Sequence, residues 1–446
     1  MEELRGADPH REPLEGEFWR SIPGYADVSA EQFSSYRWQS THCVRSSSEL
    51  RQTVGERAST SFFADVDAGL SIAPMAMRLT PYIISLIDWN DALADPIRRQ
   101  FIPLASEARP DHPAMVNDPL GESADSPVSG LVHRYRDRAL FFALDTCPVY
   151  CRYCTRAYAV GPDTPRPSLV KLDLGLRRDA WTDRLAYIEG HPELEDIVVS
   201  GGDTYNLPAA QVTWLGDRLL DIPHVRRIRF ATKGPAVLPQ RLLGDDPWLH
   251  ALVGVVDRGR TMGKHVALHM HFNHPREITK PTRQAMMRLF GAGVTLRNQS
   301  VLLRGVNDDF PTMQALVRLL AQINVEPYYV FLHDMVAGLE ALRTTVHEAV
   351  GLEKRIRGDV AGFHTPAFVV DTLGGGGKRD VHSFEVYDRL HGVAVYEAPA
   401  LEPGRALYAF DPLDSLPPEG RRRWSDPSEH RAILAEVTAR TDLSMD

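Results

Sequence analysis

From Arg138 onward, six short apolar runs alternate with amphipathic stretches, and this alternation constrains the fold more than any other feature of the 446-residue chain. The runs are RALFFALD, DIVVSGGD, RRIRFATKG, HVALHMHFN, VTLRNQSVLL and EPYYVFLHD. They are rich in the β-branched and aromatic residues that suit a pleated, half-buried surface. Between them stand patterns such as QVTWLGDRLL and TMQALVRLLAQI, whose apolar residues recur at helical spacing. Strand and helix in alternation give parallel strands joined by crossover helices. Two α/β architectures satisfy that pattern: a barrel or part of one, and an open doubly wound sheet. The second normally carries a glycine fingerprint on its first turn, and the chain has none there. A partial (β/α)6 barrel of the TIM type is expected over residues 121–379.

Barrels of this kind keep their chemistry where strands end. Polar residues gather at those ends here: Cys147 after the first run, Ser200 to Asp203 after the second, Asn273 and His274 after the fourth, and Asp334 after the sixth. Residues 1–120 are rich in Pro, Ser, Asp and Trp and read as a helical N-terminal region. Beyond the run GGGGK, residues 380–446 show no clear strand–helix repeat and read as a C-terminal extension.

Cys147, Cys151 and Cys154 stand at C-x3-C-x2-C within DTCPVYCRYCTR. Three thiolates on a short loop can hold three irons of a 4Fe-4S cluster and leave the fourth open to a small molecule. A closed zinc site needs four ligands, usually two C-x2-C pairs or histidines at helical spacing, and no second pair exists. A disulfide framework is equally poor, because Cys43 is the only other cysteine and no apolar N-terminal signal segment points to an oxidising compartment. Cys43 reads as an ordinary buried thiol. The formal charge of -9, without a dense basic stripe, argues against a nucleic-acid partner. The longest apolar runs fall far short of the ~20 residues needed to span a bilayer, so no membrane segment and a cytoplasmic location are expected.

Basic residues number 50, but only six are lysine, so lysine chemistry has few candidates. Lys378 directly follows Gly374 to Gly377. The phosphate-loop pattern fails because Arg379 comes next, and a flexible surface turn is the plain alternative. Beside a radical-type cluster, an amine on a glycine hinge suits a lysine that forms a Schiff base with a carbonyl cofactor and swings away when substrate displaces it. Lys378 is therefore the candidate for pyridoxal phosphate.

CPVYCRYCTR followed by SGGD, HFNHP, NQSVLLRGVND, PYY, FVVD and GGGGK, in that order, resembles the lysine 2,3-aminomutase family of radical S-adenosylmethionine enzymes. The resemblance implies a radical S-adenosylmethionine barrel in which Cys147, Cys151 and Cys154 ligate the cluster and the open iron chelates S-adenosylmethionine. Ser200, Gly201, Gly202 and Asp203 match the segment lying against the amino-acid part of that cofactor, and His271 and Gln299 match further contacts to it. Lys378 matches the pyridoxal phosphate lysine. Arg134 and Arg138, in HRYRDR, match the arginines on its phosphate, as a guanidinium fork on a dianion would do. Arg156 matches the arginine that pairs with the substrate's α-carboxylate. Each arginine taken alone reads equally as a solvated or structural ion pair.

Asp334 and Asp371 match the carboxylates that grip the side-chain ammonium of lysine, where an acidic substrate would demand a cationic or neutral group. The implied reaction is a 1,2-amino migration: a deoxyadenosyl radical takes a hydrogen from Cβ, the nitrogen moves there, and the hydrogen returns. The substrate would be a basic L-amino acid, lysine first and arginine next, since arginine asks for a longer, fork-shaped site. An external one-electron reductant and a homo-oligomer are also expected. Two departures bear on these points. Asp309 and a cysteine-free tail stand where family members hold a structural zinc, so no zinc is expected. Phe331 and His333 replace a tyrosine and a small or thiol residue, which touches the identity of the amino acid. Two rivals remain: a related radical enzyme acting on a protein-bound lysine, and an iron–sulfur redox module that needs no Schiff-base lysine.

Overall fold

The computed structural model of the chain describes residues 14–166, 168–173 and 181–445. One sheet holds nine strands in sequence order: β1 (Leu131–Tyr135), β2 (Arg138–Leu144), β3 (Asp196–Gly201), β4 (Arg227–Thr232), β5 (His265–Met270), β6 (Thr295–Leu302), β7 (Glu326–Leu332), β8 (Ala367–Thr372) and β9 (Gly377–Asp380). Strands β2 to β8 run parallel, and β1 and β9 lie antiparallel at the two ends. The six runs read from the sequence are β2 to β7. The segment FVVD adds a seventh parallel strand, β8, so the parallel part is larger than six strands.

In β4 and β6, buried residues alternate with half-buried ones, as a strand does when one face meets helices and the other lines an interior cavity. The crossover helix Ala209–Asp221 buries Val212, Leu215, Leu219 and Leu220, a stripe at helical spacing. Thr279 and Asp309 cap the helices Lys280–Gly291 and Phe310–Gln322, each accepting from the backbone N–H three residues on. At the outer ends of the sheet, the backbone N–H of Lys378 in β9 donates to Tyr135 Oη in β1 at 2.9 Å. The curled sheet thus brings its first and last strands into side-chain contact, and no ladder joins them.

Residues 18–107 form helices and 3-10 turns, and an isolated bridge between Val44 and Leu79 is the only β pairing among them. This region covers the cysteine loop. The N–H groups of Tyr150 and Arg152 donate to the carbonyls of Arg78 and Gln100. Trp19, Phe33 and Tyr82 share one continuous core with Ile197, Phe230 and Leu268 of the barrel.

After β9 comes a second, antiparallel sheet of β10 (Val386–Asp388), β11 (Val393–Ala398) and β12 (Glu402–Phe410), then helices Pro418–Trp424 and His430–Thr438. The sequence shows no strand–helix repeat here, and burial on both faces masks the strands it does form. Val393, Ala394, Val395 and Tyr396 are all 0% exposed, which removes the alternation that marks a strand. Among the described residues, no helix is long and apolar enough to cross a membrane.

Candidate active site

A cavity of about 390 Å³ opens in the barrel interior. Nine residues singled out in the sequence line it: Arg134, Arg138, Arg156, Ser200, His271, Gln299, Asp334, Asp371 and Lys378. They come from β1, β2, the loops after β2, β5 and β7, and strands β3, β6, β8 and β9. Residues spread over 245 positions of sequence therefore share one void only because the sheet curls.

Lys378 is not on a loose turn. The turn is Leu373 to Gly376, and Lys378 sits on β9 directly opposite Asp371 of β8. That pairing sets its Nζ 2.8 Å from Asp371 Oδ2. Three glycines make the hairpin possible: Gly374, Gly375 and Gly377 have φ of +77°, +97° and +80°, and a Cβ on Gly377 would lie 2.8 Å from Tyr135 Oη. Burial alone would lower the affinity of the lysine for its proton, but the Asp371 carboxylate, with Tyr135 and Asp334 beyond it, raises it overall. The free amine is thus held as an ammonium against Asp371.

Asp334 Oδ2 accepts from Thr155 Oγ1 at 2.5 Å. Its Oδ1, like Oδ1 of Asp371, is buried and meets no hydrogen-bond donor. Burial first, and the neighbouring Asp371 second, push the Asp334 carboxyl up to about 7. Two carboxylates, each with an unanswered oxygen, face the cavity that also holds the lysine nitrogen. One cation, the Lys378 ammonium, serves both.

The three arginines are held differently. Arg134 pairs with Asp125 at 2.7 Å and donates to the Leu120 carbonyl. Arg138 lies over the Tyr135 ring at 3.9 Å. Arg156 is gripped side-on by Glu122, with Nε 3.0 Å from Oε2 and Nη2 2.7 Å from Oε1. Glu122, Thr155 and Tyr135 escaped the sequence reading. Thr155 directly follows a singled-out cysteine and Tyr135 directly follows Arg134 in HRYRDR, so adjacency was a usable signal for both. Glu122 lies in DPLGES, where no periodicity marks it.

The three cysteines sit on the loop between β2 and β3, as free, half-buried thiols. Burial pushes each upward, Cys151 to about 12, and the other thiols and Asp203 add to this at Cys147. The backbone N–H of Asp203, close to this loop, donates to the Thr146 carbonyl at 3.0 Å. Among the described residues, no group of three or more Cys, His, Asp or Glu side chains stands gathered as a metal site. Cys43 is buried and donates to the Gln39 carbonyl, far along the chain from this loop.

His271 Nδ1 donates to the Gln299 carbonyl at 2.6 Å, which leaves Nε2 to accept from Tyr153 Oη at 2.9 Å. Burial, then the nearby Lys233, lowers its pKa to about 3, so the ring is neutral.

No protein-family model matches the chain. It is 37% identical over 369 residues to an L-lysine 2,3-aminomutase from Clostridium subterminale, covering 82% of this chain and 82% of that protein. An L-lysine 2,3-aminomutase from Acetoanaerobium sticklandii is 35% identical, over 83% and 84% of the two chains. The chain belongs to the lysine 2,3-aminomutase family. A glutamate 2,3-aminomutase from Clostridioides difficile is 30% identical over 78% of this chain and 76% of its own. This chain is accordingly an enzyme, an isomerase of the amino-acid aminomutase class. The positions at which lysine and glutamate enzymes must differ are those facing the side chain of the substrate.

Some positions matched to this aminomutase family lie elsewhere. Gly201, Gly202 and Asp203 do not reach the cavity. The carboxylate of Asp203 accepts from the N–H groups of Tyr205 at 2.8 Å and Lys233 at 2.7 Å. It ties the end of β3 to the end of β4 and has no oxygen turned to the void. Gly201 and Gly202 press on the backbone of Leu144 and Thr146, where a Cβ would lie 2.4 Å from a carbonyl oxygen. Asn273 and His274 are likewise buried ties at a strand end. Phe331 lines the cavity with its ring 5.5 Å from Lys378 Nζ, whereas His333 turns into a separate small void behind the two aspartates.

Proposed function

We propose that this enzyme moves the α-amino group of a basic L-amino acid to its β-carbon, using a 4Fe-4S cluster, S-adenosylmethionine and pyridoxal phosphate. Lysine is the first candidate substrate and arginine the second. One observation carries the reading: the Lys378 nitrogen and two aspartates with unanswered inner oxygens share a single cavity of about 390 Å³. Two buried carboxylates that share one ammonium are costly. A cationic side chain removes that cost, whereas an acidic one would raise it.

The residues fit the cofactors. Cys147, Cys151 and Cys154 give a three-sulfur donor set on one loop, all of them free thiols. Metal binding deprotonates such thiols. Arg134 and Arg138 would hold the phosphate, and Lys378 would carry the carbonyl end. When bound, the cluster with S-adenosylmethionine supplies a hydrogen-abstracting radical, and pyridoxal phosphate supplies the carbonyl that holds the migrating nitrogen.

The rest is the work of this chain. Lys378 must shed a proton before its amine can act, and Asp371 Oδ2, 2.8 Å away, is the base in reach. Once the amine is engaged, Asp371 gives up the proton it took to solvent, and its carboxylate is free of Lys378. It can then join Asp334 around the substrate's side-chain cation. The lysine ammonium thus occupies in the free enzyme the place of the group it later yields to. Arg156 takes the α-carboxylate.

The test is to incubate the anaerobically reconstituted, reduced protein with lysine, arginine and glutamate in turn and to separate β-amino isomers by chromatography. A β-isomer from a basic amino acid is expected, together with a visible absorbance band on adding pyridoxal phosphate that Lys378→Ala abolishes. Rearrangement of glutamate alone would overturn the assignment of the two aspartates.

A further inference from the structure

Glu122 has no part in the scheme above, yet it is 4% exposed and lies in the cavity wall. A carboxylate so placed is costly unless its charge is paired and its oxygens are satisfied. Both conditions are met. Oε1 accepts from Arg156 Nη2 at 2.7 Å, and Oε2 accepts from Arg156 Nε at 3.0 Å and from Tyr158 Oη at 2.8 Å. The backbone of Glu122 is fastened as well. Its N–H donates to Asp118 Oδ1 at 3.1 Å, and its carbonyl accepts from Ser126 Oγ at 2.7 Å. The carboxylate is a fixed anchor.

Nε and Nη2 form one edge of the guanidinium. The other edge, Nη1 with the second hydrogen of Nη2, makes no hydrogen bond among the described residues. A planar guanidinium can carry a second carboxylate on that free edge. Were Glu122 only a structural counter-ion, any edge would serve. A side-on grip from the cavity wall is the one arrangement that leaves the end of the fork open while fixing its plane. The Phe142 ring, 5.5 Å from Arg156 Cζ, further limits how the plane can tilt.

We infer that Glu122, backed by Tyr158, is a positioning residue: it sets the plane of Arg156 and so aims the substrate's α-carboxylate, which places the reacting Cβ. This rests on the reading of Arg156 as the carboxylate clamp. Removal of one particular hydrogen from a carbon two bonds away from that carboxylate tolerates little error. A misplacement of about 1 Å costs on the order of a hundredfold in rate.

The experiment uses the reconstituted holoenzyme and reads kcat and KM separately for the basic amino acid that it turns over. Arg156→Lys tests the underlying reading and should raise KM. Glu122→Gln keeps size and removes the charged grip; kcat should fall by roughly tenfold to a hundredfold while KM rises less than about threefold. Tyr158→Phe leaves the Glu122–Arg156 pair and loosens its backing, so the same split should appear in milder form. If Glu122→Gln does not fold, Tyr158→Phe carries the test alone. Kinetics within about twofold of wild type in the two variants, or a rise in KM without a fall in kcat, would overturn the inference and leave the function standing. An unchanged KM in Arg156→Lys would instead remove the clamp itself.

Discussion

Asp334 and Asp371 carry the choice of substrate, and their chemistry is testable at the level of single atoms. Each has one oxygen in use and one buried oxygen with no donor. Replacing either by asparagine keeps the shape and removes a charge that a bound cation would pair with. Loss of one partner of a buried charge pair costs about 2–5 kcal/mol. The KM for a basic amino acid should therefore rise by at least about thirtyfold in Asp371→Asn or Asp334→Asn, with glutamate no worse a substrate than before. The Asp334 carboxyl also makes binding depend on pH. Its pKa is raised to about 7 in the folded, ligand-free protein. From about pH 4 to about pH 7 the folded state keeps a proton that the unfolded chain has lost, so this group's stabilising effect fades as pH rises through that window. A cationic ligand favours the ionised carboxylate. Its affinity should strengthen from pH 6 to pH 8, and calorimetry in buffers of different ionisation enthalpy should show a proton released below pH 7. In Asp334→Asn both dependences should flatten. Of these residues, Asp334 stood out at a strand end and Lys378 after a glycine run, whereas Asp371 and the three arginines were picked out by the resemblance to the aminomutase family. Glu122 was not, since a carboxylate in a turn-rich segment gives no sign of whether it will be buried.

At the scale of elements, β8 and β9 turn a pair of residues seven positions apart in sequence into a contact. The glycine run had suggested a hinge; the hairpin explains it as a tight turn closed by a short strand, with Lys378 held in register. This arrangement predicts that Gly377→Ala is harmful twice over. The residue sits at φ +80°, and the added Cβ would lie 2.8 Å from Tyr135 Oη, the group that receives the Lys378 N–H. Strain of this kind costs on the order of 1–3 kcal/mol. A lower melting temperature is expected, and with it weaker uptake of pyridoxal phosphate, measured by titrating the visible absorbance band. A variant that melts lower but loads normally would mean that the register of β9 does not control the lysine. The parallel strands were legible because their runs are β-branched and bounded by helical patterns. The edge strands were harder to read. β1 runs into the arginine motif HRYRDR, where charged residues mask the pairing of Tyr135 with Arg138 across a two-residue turn.

For the whole molecule, the question is whether the segment after β9 is an appendage or part of the enzyme. It read as an extension because β11 is buried on both faces and so shows no alternation. In the structure it is built into the body of the protein. Leu407 of β12 backs onto the glycine turn before Lys378, so that a Cβ on Gly376 would lie 2.3 Å from it. Trp424, 4% exposed, fastens the tail to the segment that precedes the barrel. Its ring centroid lies 4.5 Å from that of His112, in the segment leading into the barrel, and 5.7 Å from that of Phe410 in β12. Its Nε1–H donates to the His391 carbonyl at 2.8 Å. Truncating a buried aromatic residue to alanine costs about 3–5 kcal/mol, a large share of the 5–15 kcal/mol by which domains of ordinary size are stable. If the tail is integral, Trp424→Ala should unfold in one transition at a clearly lower temperature, and the cysteine loop, covered by the N-terminal region, should lose protection from hydrogen exchange together with the tail. If the tail is an appendage, two transitions should appear, with the barrel melting as in the wild type and the absorbance of bound pyridoxal phosphate persisting until the second. The contacts of Leu407 behind the lysine hairpin and of Trp424 on His112 favour the first outcome, because both couple the tail to the elements that build the cavity.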